Sequence, residues 1–193
     1  MAIKNKSKYA LLGVLSLKPG SGYDIKKFCD KSISFFWNEN FGHIYPVLTQ
    51  LEKDGLILLK ESNSDNRKKV YSISDKGLKE FTDWLLLPVE YQPTRSELLL
   101  KLSFAYYIPS EKTIEMLQEV KQRKTLELEE YLTLEASYKS TEKIRENDFY
   151  PYWLAPLRFG ILSTKSTIKW CEETIKNIEN STKIQKNVIT EDQ

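Results

Sequence analysis

Residues 40–49, NFGHIYPVLT, gather Asn40, His43, Tyr45 and Thr49 within a few helical turns, with Gly42 leaving the backbone open among them. His43 is the only histidine of the chain. An amide, an imidazole, a phenol and a hydroxyl are donors and acceptors suited to base edges or phosphates. A second group, Arg67, Lys68 and Lys69, follows the polar run Ser62–Asn66 and is suited to a polyanion. Each has a plainer role as well. His43 can sit at the surface or cap a helix, the Tyr45 hydroxyl can anchor nearby backbone, and the three cations can form a solvated turn.

What must position these groups is a helix. Ile44, Val47, Leu48 and Leu51 recur at helical spacing and form one apolar stripe, which leaves Gly42, His43, Tyr45 and Thr49 facing away from it. Pro46 has no N–H to donate and so belongs near the first turn, and Asp54-Gly55 is a stop signal. The pattern predicts a helix over roughly 42–53. Two helices precede it. The first carries Tyr9, Leu12 and Leu15 and ends at Pro19-Gly20. The second opens on Ser21-Gly22-Tyr23-Asp24, a capping box, and buries Ile25, Phe28 and Cys29. Leu56–Leu59 and Val70–Ile73 read as two strands of a hairpin whose tip carries the cations, and Ser74 caps a fourth helix that stops before Pro88.

The prolines at 88 and 93 mark a boundary. Beyond it the pattern is helical over about 94–107, 110–145 and 151–181. The middle helix would be roughly 55 Å long, more than a small domain needs for itself. In the last helix Leu154, Ile161, Ile168 and Ile175 recur every seven residues, with Leu157, Thr164, Cys171 and Ile178 at the second heptad position. This is a coiled-coil-like seam, expected to meet a second copy of the chain, with packing against the long helix as the alternative. A polar tail, 182–193, follows.

Composition agrees with a globular protein that binds rather than catalyses. Residues 1–87 carry 14 Lys+Arg against 10 Asp+Glu and residues 88–193 carry 15 against 17, so an anionic partner would meet the front half. There is no Gly-rich phosphate loop, Cys-His pairing or metal-ligand spacing, and neither catalysis, cofactor nor metal is expected. The two cysteines, Cys29 and Cys171, fall on apolar helix faces and are expected to be reduced core residues. The apolar run near the N-terminus is too short for a membrane span and lacks a cleavage site, which favours a cytoplasmic protein without a membrane partner.

Helix, helix, helix, hairpin, helix is the order of a winged helix-turn-helix, whose third helix enters the DNA major groove while the wing touches the backbone. The expected class is mainly α, with a winged helix-turn-helix and two-stranded β-wing over 1–87 and an all-helical dimerisation domain over 93–181. A winged helix that binds protein instead of DNA is the rival. The sequence also resembles the PadR-like transcriptional regulators, through Gly22-Tyr23-Asp24-Ile25, Phe36-Trp37, the run Ile44-Tyr45-Pro46-x-Leu48-x-x-Leu51-x-x-x-Gly55-Leu56-Ile57, and Lys69-x-Tyr71-x-Ile73-Ser74-x-x-Gly77. The likeness continues into the C-terminal half, as in the larger branch of that family. It implies a homodimeric repressor on double-stranded DNA with a palindromic operator. Ser21, Tyr23 and Asn40 join the expected DNA-binding set, and Leu154, Leu157, Ile161, Ile168, Ile175 and Ile178 form the dimer interface. Some relatives respond to a small aromatic ligand. Tyr23, Trp37, Tyr150, Tyr152 and Trp153 could wall such a site, with core packing as the alternative.

Overall fold

The computed structural model describes residues 6–34, 36–37, 39–60, 69–90 and 95–191, with backbone alone from 182. The chain divides into two compact units, Met1–Gln92 and Pro93–Gln193.

The first unit contains α1 (Ser7–Leu17), α2 (Gly22–Ser32), α3 (Phe41–Lys53), β1 (Ile57–Lys60), β2 (Val70–Ile73) and α4 (Asp75–Leu85). Its termini are set by side chains close in sequence. At α2 the Ser21 hydroxyl accepts from the Asp24 N–H, while the Asp24 carboxylate accepts from the Ser21 N–H at 2.9 Å, completing the capping box. At α3 the Asn40 side-chain oxygen accepts from the His43 N–H at 3.0 Å, and at α4 Ser74 accepts from the Gly77 N–H at 3.0 Å. Gly55, with φ of +69°, turns the chain out of α3 into β1, a left-handed conformation that glycine adopts without a Cβ clash.

β1 and β2 pair antiparallel, with Ile57 opposite Ile73 and Leu59 opposite Tyr71. Gly20 adds a bridge on the outer side of β2, exchanging both backbone hydrogen bonds with Tyr71. The core draws on every element before α4: Leu11, Leu12 and Leu15 from α1, Ile25 and Cys29 from α2, Ile44, Leu48 and Leu51 from α3, and Ile57 and Tyr71 from the sheet. α4 closes on α1 through Phe81 against Gly13 and a stacked pair, Tyr9 and Trp84, with ring centroids 4.3 Å apart. Gly77 allows the start of α4 to press on Leu56, whose carbonyl oxygen lies 2.0 Å from where a Cβ would stand.

The second unit contains α5 (Glu97–Ser103), a 3-10 turn (Ala105–Tyr107), α6 (Ser110–Ser140), α7 (Glu142–Arg145) and α8 (Tyr150–Glu191). The long middle helix of the sequence pattern breaks at Thr141, and the chain expected as a polar tail continues in α8. Nothing after Gly160 is a glycine or proline, so no residue there forces the helix to end. α6 and α8 run antiparallel, joined by Glu135–Arg158 (2.9 Å) at one level and Lys121–Glu172 (2.7 Å) at another. Leu157 and Ile161 are each 1% exposed within this single chain, as are Cys171 and Thr164 nearly so. The first half of the heptad seam is therefore covered by α6, and the expected dimer residues Leu157 and Ile161 are not free to meet a second copy. Leu154, Ile168, Ile175 and Ile178 are half-buried.

The α6–α8 seam is polar in places where a simple coiled coil is apolar. Glu127 accepts from the Tyr131 hydroxyl at 2.7 Å and from Thr164 at 3.4 Å, and pairs with Lys124. Burial works to raise its carboxyl, but the hydrogen bonds from Lys124 and Tyr131 outweigh it and hold the group below its ordinary range. Glu135, buried, sits between Lys139 and Arg158, which lower its carboxyl from 4.5. A carboxyl lowered in the folded state contributes stability that is complete above its unfolded value and is lost as pH falls through the native one. Glu135→Gln is expected to melt at lower temperature than the wild type at pH 7 and to show a shallower loss of Tm on acidification below about pH 4.5. Parallel acid limbs in the two proteins would contradict this.

Candidate nucleic-acid interface

α3 buries Ile44, Val47, Leu48 and Leu51, and this fixes what its other faces present. At about 100° of rotation per residue, Gly42 and Pro46 lie opposite the buried stripe, while Tyr45 and His43 fall on opposite edges of the outer face, roughly 160° apart. The middle of the outer face is thus small at its N-terminal end, where Gly42 and Pro46 allow close approach of the backbone, and carries the exposed Thr49 and Lys53 further along, with Tyr45 and His43 at its two sides.

The Tyr45 ring is held in place. It lies across α2 at Gly22, where a Cβ would come within 2.8 Å of its edge, and it stacks on Phe41 with centroids 6.0 Å apart. Tyr45 is nonetheless 53% exposed. Gly42, His43 and Thr49 are exposed, and the Thr49 hydroxyl donates to the Tyr45 carbonyl at 3.1 Å, keeping its acceptor lone pairs. Tyr23 and Lys69 are also exposed. Two expected contacts are occupied inside the protein: Ser21 is buried, its hydroxyl donating to Asp24 at 2.6 Å, and the Asn40 oxygen caps α3. Arg67 and Lys68 lie outside the described residues.

Just ahead of α3 the structure holds two features that periodicity does not reveal. Glu39 is 2% exposed, and its Oε1 accepts from the Trp37 indole N–H at 2.6 Å while Oε2 has no hydrogen-bond partner among the described residues. Burial, with this carboxylate nearby, pushes the Cys29 thiol up to about 11, so Cys29 is a protonated core group. Trp37 also lines an apolar groove of about 320 Å³ with Tyr9, Phe28, Phe36, Phe81 and Trp84. Tyr23 is outside that lining. Tyr150, Tyr152 and Trp153 belong to the second unit, where Trp153 stacks on Phe149 and none of the three lines its groove of about 700 Å³. Phe41, at the first position of α3, is the other residue that the apolar stripe passes over. Its signal was an apolar side chain directly after the capping Asn40.

Two family models match, the transcriptional regulator PadR-like family over residues 11–83 and the virulence activator alpha C-terminal domain over 94–179. The chain belongs to the PadR-like transcriptional regulators. The negative transcriptional regulator PadR of Bacillus subtilis is 27% identical over 184 residues, spanning 89% of this chain and 97% of the relative. A PadR-like regulator from Bacillus cereus superposes with a TM-score of 0.75 at 26% identity, over 91% of this chain and 99% of that one. The fold is also that of Bacillus subtilis PadR solved with operator DNA, at 24% identity and a TM-score of 0.76, covering 89% of this chain and 98% of that one. The same relative has been solved with p-coumaric acid, with a TM-score of 0.75 at 23% identity over 89% and 98% of the two chains. The described winged helix is thus the DNA-binding domain of a transcription regulator, in a family of regulators rather than enzymes. No described helix is long and apolar enough to cross a membrane.

The Trp37–Glu39 contact can be tested by itself. Trp37→Phe removes the one donor to Glu39 among the described residues and should lower unfolding free energy by about 1–3 kcal/mol, whereas Trp37→Phe with Glu39→Leu should recover most of it, because both polar partners are then gone. Chemical denaturation of the three proteins reads this directly, and a double variant no more stable than the single one would contradict it.

Proposed function

We propose that the chain is a homodimeric repressor that binds a palindromic operator with α3 in the major groove, and that a small aromatic effector releases it. The observation that carries this reading is α3 itself: one face locked in the core, the other open at Gly42 and Pro46, flanked by Tyr45 and His43 and continued by Thr49 and Lys53. A helix so presented has the form of a recognition helix. Lys69, with Arg67 and Lys68, is assigned to the phosphates beside the groove.

For the dimer, α8 offers a face that α6 leaves uncovered. Phe159 is 72% exposed, and Tyr152 and Leu162 are also outward. A second copy covering these residues would bring two winged helices to one symmetric site. For the effector, the groove beside Trp37 has the aromatic walls, and the bound p-coumaric acid of the Bacillus subtilis relative supports an aromatic acid as the class. Trp37 is tied to Glu39, and Glu39 directly precedes the cap of α3, so an occupant that turns Trp37 disturbs the start of the recognition helix. Such a ligand acts only as far as its affinity differs between the two arrangements.

Fluorescence anisotropy against duplex from the promoter region of the protein's own gene, beside a scrambled duplex, is the test. Tight binding that prefers the native fragment and weakens steeply with salt is expected, and Lys69→Ala should reduce the slope of log affinity against log salt by about 0.9. Tyr45→Phe should cost about 1–3 kcal/mol of affinity for the native fragment. Phe159→Glu should yield monomers by sedimentation and lose the preference while the winged unit stays folded. Equal, weak binding of both duplexes would count against operator recognition at this locus, and an unchanged dimer in Phe159→Glu would remove α8's outer face from the interface.

A further inference from the structure

Phe41 is a large apolar side chain, 42% exposed, on the first turn of α3. An exposed phenylalanine alone says little. This one is fixed: it stacks on Tyr45 with an interplanar angle of 18°, and the Lys26 ammonium lies 6.0 Å from its centroid. Lys26 is itself tied to Asp30 in an ion pair, and Tyr45 is seated against Gly22. The ring is therefore held outward by a chain of contacts reaching back into α2. Around it there is little to make hydrogen bonds. The Asn40 oxygen is engaged in the cap, and Gly42 and Pro46 carry no side-chain donor. This edge of the helix presents a rigid apolar surface.

Resting on the reading of α3 as the helix that enters DNA, we propose that Phe41 is a specificity residue that recognises the C5-methyl group of a thymine in each half-site. The thymine methyl is the apolar group that the base edges display in the major groove, and phenylalanine is among the side chains suited to it. The N-terminal turn of a recognition helix is the part that reaches base edges. Phe41 thus reads by contact, and the Tyr45 hydroxyl beside it reads by hydrogen bonding.

The test begins by letting the full chain select duplexes from a random library. Each thymine of the selected site is then replaced by deoxyuridine in both halves, which removes the methyl and leaves base pairing intact. For the wild type, one thymine position should stand out, with affinity falling about fourfold per half-site, the worth of one methyl removed from water. Phe41→Ala should bind the thymine and uracil duplexes equally. Phe41→Leu, which keeps an apolar side chain, should retain part of the difference, and the melting curves of both variants establish that they are folded. A wild type indifferent to uracil at every position, a selected site without thymine, or an alanine variant that still discriminates would each overturn the assignment while leaving operator binding intact. Failure to enrich any sequence would instead remove the DNA reading on which it rests.

Discussion

Burial of one stripe of α3 is the constraint on which the rest of the first unit depends. Ile44, Leu48 and Leu51 meet Leu11, Leu12 and Leu15 of α1 and Ile25 of α2 in a single core, and each such side chain contributes about 1.5–3 kcal/mol when fully removed from water. A helix pinned along one side cannot rotate. Its outer face is then determined, with Gly42 and Pro46 in the middle and Tyr45 and His43 at the edges. The sheet and α4 complete the pinning from below, where Gly77 lets α4 press on Leu56 and Ser74 ties back to Gly55.

The second unit solves a different problem. Two long antiparallel helices must keep one register over many turns, and apolar contacts such as Leu117, Leu157 and Ile161 tolerate sliding. Carboxylates held at fixed levels do not. Glu127 with Tyr131 and Thr164, and Glu135 with Arg158 and Lys139, are matched only in one alignment, and a buried carboxylate left without partners is costly. Register here is set by polar pairs laid between apolar layers.

Much of this was legible in the sequence where the signal is local. The Ser21–Asp24 box, the Asp54-Gly55 stop, the two strands and the stripe of α3 all depend on neighbours within a turn or two, and each is present. The two cysteines are buried, as their positions on apolar faces implied. Partnership at long range was harder. The heptads of α8 announce a seam without naming its partner, and α6 answers with Thr113, Leu117, Tyr131 and Glu135, which make no apolar repeat. The capping roles of Ser21 and Asn40 compete with DNA contact for the same oxygens, and the structure gives those oxygens to the caps. The Trp37–Glu39 pair lies in an irregular connection, where neither period nor propensity marks a buried carboxylate.

The central claim is that α3 meets DNA in the major groove as one of a symmetric pair, and methylation interference on a bound operator duplex addresses it most directly. Dimethyl sulfate marks guanine N7 in the major groove and adenine N3 in the minor groove. The account predicts two patches of interference at guanine N7, centred about 10 base pairs apart and related by two-fold symmetry. Interference confined to adenine N3, or a single patch without a symmetric mate, would contradict it.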